Sequence, residues 1–179
     1  MNRIERIELP TVGEYDLNVM HRLLEFSLMA LEKFEATPGC AIDMDLWYAR
    51  FVDDGKSICY ACLGGATVIQ MAGIDTNDGN FWGLARRELT LKHRRIADGA
   101  GVSPDAIIAI ERALNNARYG NIWGMFSSVG HVPPGTPNPT NPNHGMLPLS
   151  VDITAYCDDP VAFKQDMKGL IQLLKDAGY

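Results

Sequence analysis

The sequence predicts a mainly α fold, or α with a small β element (α+β), in one domain. Apolar residues recur at helical spacing in at least three long segments, each opened by a capping residue. At 179 residues with 46% hydrophobic content, the chain is long enough to bury a sizeable core. Strand-like alternation is confined to short pieces, and no internal repeat marks a second unit.

The first helix is expected over residues 16–35. Leu17, Met20, Leu24, Leu28 and Leu31 share one face, Asp16 is placed to cap its start, and Thr37-Pro38-Gly39 stops it. Cys40 to Trp47 mixes apolar and acidic residues and reads as a short extended piece. Val52-Asp53-Asp54-Gly55 reads as a turn. A second helix is predicted over 57–72, with Ser57 as N-cap and Gly73 past its end. Cys59, Ala61, Cys62, Gly64, Gly65 and Ala66 make it unusually small. Two glycines inside a helix cost about 1 kcal/mol each, a cost that close approach of another backbone would offset. This places the segment in the core.

Asp75-Thr76-Asn77-Asp78-Gly79 is a loop. Its glycine at the fifth place and Arg86 at the twelfth do not fit a calcium-binding loop. Residues 82–98 are expected to be helical, although Leu89 and Leu91 alternate in a way that also suits a strand. Ser103-Pro104 opens a further helix that buries Ile107, Ile110, Leu114 and Ala117. From 127 to 150 the chain holds six of its ten prolines, which reads as a long functional loop that the helices do not need for folding. Residues 151–156 alternate like a strand. Asp159-Pro160 then opens the last helix, with Phe163, Met167, Leu170, Ile171 and Leu174 facing the core.

The net charge of −6 argues against a surface built wholly for nucleic acid or anionic membrane. No apolar stretch is long enough to span a bilayer, and the charged start lacks the apolar core of a signal peptide. Four cysteines do not make a disulfide scaffold in a chain of this size. Free thiols in a reducing cytoplasm fit better, so a cytoplasmic location is expected.

Three constellations are candidates for chemistry. Cys59-Tyr60-Ala61-Cys62 at a helix start could hold a thiolate or supply two zinc ligands. No second close pair completes a zinc site, so two buried structural thiols are expected, with no metal and no cofactor. Residues 96–110, with Gly101 at the bend and isoleucines six and nine places beyond it, have the spacing of a helix-turn-helix. Basic residues Arg86, Arg87, Lys92, Arg94 and Arg95 lie upstream and could meet phosphates. The second helix, however, opens on Ser103, Pro104 and Asp105, with no donor fork for base edges, which argues against a sequence-specific nucleic-acid partner. The proline-rich loop carries His131 and His144, candidates for a ligand or partner contact. His21 and Glu25, one turn apart, read as an ordinary surface pair.

Asp43-Met44-Asp45-Leu46-Trp47, Cys62-Leu63-Gly64-Gly65-Ala66 and residues 97–103 resemble the short motifs of a loose group of uncharacterised small proteins of bacteriophages and their hosts. The resemblance covers roughly residues 15–118. Ser57 stands where the group has its first cysteine, and Cys59 where it has threonine. The group carries no established activity. The resemblance implies a phage setting but no mechanism. The function expected first is that of an accessory protein, without catalytic residues, that binds a host macromolecule or a small ligand. Arg86, Arg87, Arg94, Arg95, His131 and His144 would form its contact surface. A helix-turn-helix regulator and a thiol- or zinc-dependent enzyme are the alternatives.

Overall fold

The computed structural model describes residues 6–76, 97–98, 100–136 and 153–179. Among them five helices accompany a two-stranded and a three-stranded sheet, an α+β arrangement. The expected helix over 82–98, apart from its last two residues, which are helical, and most of the expected loop, with Arg86, Arg87, Arg94, Arg95 and His144, fall outside the described residues.

The chain opens with a tight hairpin of β1 (Thr11–Val12) and β2 (Tyr15–Asp16). This hairpin displaces the expected helix start. Asp16 does not cap; its carboxylate accepts the backbone N–H of Asn18 at 3.0 Å, a local turn. Helix α1 (Met20–Ala36) therefore begins four residues later than the apolar spacing suggests, and ends at Thr37 as expected. Leu17, Met20, Leu24, Leu28 and Leu31 are all buried. So are Leu23, Phe26, Ala30 and Phe34, which gives α1 burial on more than one face.

Strands β3 (Cys40–Ile42), β4 (Tyr48–Asp53) and β5 (Lys56–Ala61) form a sheet ordered β3-β5-β4. The predicted turn joins β4 to β5 as a two-residue loop. Asp54 and Gly55 both have positive φ (46° and 75°), the mirror-image turn that suits the twist of antiparallel strands. This hairpin corrects the reading of 57–61 as helix. Once 48–53 folds back, Ser57 to Ala61 pairs with it on one side and with β3, in parallel, on the other. Such non-local pairing overrides the local preference of small residues.

Helix α2 (Leu63–Ala72) follows at once. Its N-cap is Cys62, whose sulfur accepts the Gly65 N–H at 3.4 Å, and Gly73 ends it in the left-handed conformation as predicted. Helix α3 (Pro104–Arg118) is capped by Ser103 and buries Ile107, Ile110, Leu114 and Ala117, all as expected. Helix α4 (Ile122–Ser128) is an addition to the expected elements, and it takes in the first two residues of the expected loop. Residues 153–156 form no strand. Thr154 N–H instead bonds the Asp166 carboxylate at 2.8 Å, and Tyr156 is buried. Helix α5 (Pro160–Asp176) is capped by Asp159, which accepts two backbone N–H bonds, and buries the five predicted residues.

Two apolar clusters result. The larger joins α1, α3, α4 and α5. The smaller joins Phe34 of α1 to the three-stranded sheet, α2 and Ile107. Among the described residues, no helix is long and apolar enough to cross a membrane.

Candidate functional site

Of the six predicted contact residues, only His131 lies among those described. It is exposed, with its backbone N–H bonded to Phe126 O at 3.1 Å. His21 does not meet Glu25. Its Nδ1 contacts the Tyr179 carbonyl, while Glu25 pairs with Arg22 at 3.0 Å and with Lys175.

A groove of about 690 Å³ opens between the extended residues 6–10 and the N-terminal half of α3. The extended segment is pinned by Ile7 N–H to Val129 O (3.2 Å) and by two bonds of 2.8 Å between the Leu9 backbone and the Asn18 side chain. Ser103 is fixed as the α3 cap by accepting Ala106 N–H at 3.1 Å. Pro104 and Asp105 start the helix so that Asp105, Ile108, Ala109 and Arg112, at spacings of three and four, line one wall. Arg6, Glu8 and Ser128 stand on the opposite side, and His131 is not part of the lining. The groove thus combines apolar lining residues with two guanidinium and two carboxylate groups. Sequence reading missed it because residues 6–10 meet α3 only in three dimensions. The available signal was Ile108, an apolar residue beside the buried stripe of α3 rather than within it.

The same geometry bears on the helix-turn-helix spacing. Gly101 is left-handed (φ 66°) and Val102 N–H bonds Ala97 O, so a tight turn does precede α3. The outward face of α3, however, borders residues 6–10 and begins on an exposed Asp105.

Cys59 and Cys62 are not brought together. Cys59 lies inside β5, and Cys62 is three places on along extended backbone, where side chains point to opposite faces. Tyr48 OH donates to Cys59 Sγ at 3.6 Å, and Cys59 donates to Thr76 O at 3.6 Å. Cys62 donates to Trp47 O at 3.9 Å. Burial pushes the Cys62 thiol up, against the Gly65 and Gly64 amides, and the nearby Glu111 pushes it further. The amides at the helix start therefore do not bring this thiol below its ordinary value. Instead, Cys59 stands in register with Cys40 of the neighbouring strand. Burial also raises the Cys40 thiol, as does Cys59, while Thr76 opposes the shift. Among the described residues, no group of three or more His, Cys, Asp or Glu side chains is placed to hold a metal ion.

Comparisons with protein families, with curated proteins and with solved structures return no match to this chain.

Proposed function

We propose that this is a binding protein without catalytic activity, and that its contact surface is the groove between residues 6–10 and α3. The carrying observation is the groove itself, whose lining joins the apolar Ile108 and Val102 to the charged Arg6, Glu8, Asp105 and Arg112. Sites for small ligands enclose most of the ligand surface. This groove is open, and its mixed charges suit the backbone and side chains of an extended segment of a partner protein. The resemblance of residues 43–47, 62–66 and 97–103 to small phage-borne proteins adds the expectation that the partner belongs to a host cell. The exposed Asp105 and the neighbouring segment 6–10 favour this reading over base recognition by α3, because an acidic helix start repels phosphate.

The test is a selection from a random peptide library on the immobilised protein. Peptides that bind should lose at least tenfold in affinity to Ile108→Asp and to Arg112→Glu. They should bind Val161→Asp normally, since Val161 is an exposed apolar residue of α5 that does not line the groove. Binding that ignores both groove substitutions would refute the proposal, as would a library that yields no binder.

A further inference from the structure

Cys40 and Cys59 occupy directly paired positions on the parallel strands β3 and β5. Paired residues of adjacent strands lie about 4.8 Å apart and project from the same face of the sheet. That separation falls within the roughly 4.4–6.8 Å between Cα atoms that a disulfide spans. The two thiols also converge on one residue: Cys40 Sγ–H donates to Thr76 Oγ1 at 3.7 Å and Cys59 Sγ–H to Thr76 O at 3.6 Å. Both are free in this structure. Tyr48 OH, donating to Cys59 Sγ at 3.6 Å, holds that sulfur in place.

We propose that Cys40 and Cys59 form an oxidative modification site, closing a cross-strand disulfide when the folded protein meets a peroxide. Cys40 is half-buried and Cys59 buried, so Cys40 meets the oxidant first. Its sulfur attacks one peroxide oxygen as the thiol gives up its proton, a step that burial of the thiol slows. An S–O bond forms, the O–O bond breaks, and the departing hydroxide leaves as water with the thiol proton. The Cys59 sulfur then attacks the Cys40 sulfenic acid. The S–S bond forms, the S–O bond breaks, and a second water carries away the Cys59 proton. Two thiols together lose two electrons and two hydrogens, and one hydrogen peroxide becomes two waters. Cys62 takes no part, because its sulfur is held at the start of α2 on the other face of the chain.

The experiment uses the full chain carrying Cys157→Ser, which removes the exposed thiol and its intermolecular reactions. The native protein is treated with hydrogen peroxide, alkylated, and digested without reduction. The expected product weighs about 2 Da less than the reduced protein before alkylation, has lost two alkylatable thiols, and yields a peptide pair joining Cys40 to Cys59 that a reductant separates. The Cys59→Ser chain should stop at a Cys40 sulfenic acid, trapped by dimedone. A bridge between Cys59 and Cys62 would overturn the assignment. So would three thiols left intact, or the same mixture of bridges from native and denatured chains.

Discussion

Gly65 shows what a single atom can decide. A Cβ built there would lie 1.7 Å from the carbonyl oxygen of Trp47 and 2.8 Å from its carbonyl carbon. The sequence suggested a close backbone approach from the run of small residues; the neighbour is the entry to a strand, not another helix. Gly65→Ala is expected to destabilise by about 1–3 kcal/mol or more, since the clash is with backbone that must shift. Gly169 makes the opposite case within α5, exposed and with nothing within 4 Å of the place a methyl group would take. Gly169→Ala should stabilise by about 1 kcal/mol through helix propensity alone. Denaturant titration of the two variants side by side checks both signs.

Among the elements, α3 and α5 were legible in the sequence, because Ser103-Pro104 and Asp159-Pro160 are strong local signals followed by sustained helical spacing. The strand β5 was not, since Ser57 to Ala61 looks helical until its two partner strands are known. The groove was hidden for the same reason: both its walls are ordinary local structure, and only their meeting is informative. The pairing of α1 with α5 is equally non-local. Glu35 contacts Lys164 and accepts the Tyr156 hydroxyl. Partial burial pushes the Glu35 carboxyl up, but the hydrogen bonds from Lys164 and Tyr156 outweigh it, aided by the Lys164 charge. The carboxyl titrates below its ordinary value of 4.5. A depressed carboxyl stabilises the fold above the unfolded pKa, and the gain is lost as pH falls through the folded value. Wild type should therefore melt above Glu35→Gln at pH 7, with the two melting temperatures converging below about pH 4. A gap that persists at lower pH would show that the carboxylate charge is not its source.

At the scale of the molecule, α1 supplies residues to both apolar clusters, Leu23 to Leu31 to the larger and Phe34 to the smaller. The two should therefore unfold together. Trp47 belongs to the sheet-side cluster and Trp123 lies on α4, whose Ile122, Met125 and Phe126 join the larger one, so chains retaining one or the other tryptophan report on the two clusters. Their fluorescence midpoints in denaturant should coincide with each other and with the loss of helical circular dichroism. Separate midpoints would make the clusters independent units. The embrace of α1 by α5 also bears on how the chain is made. A ribosome releases residues 20–36 long before residues 160–176, and the partners of Phe163, Met167 and Leu170 wait uncovered in between. At about 5–20 residues per second that interval lasts on the order of ten seconds. During translation the first helix is thus an apolar surface without its cover, and the time available to a chaperone on the nascent chain is set by the last.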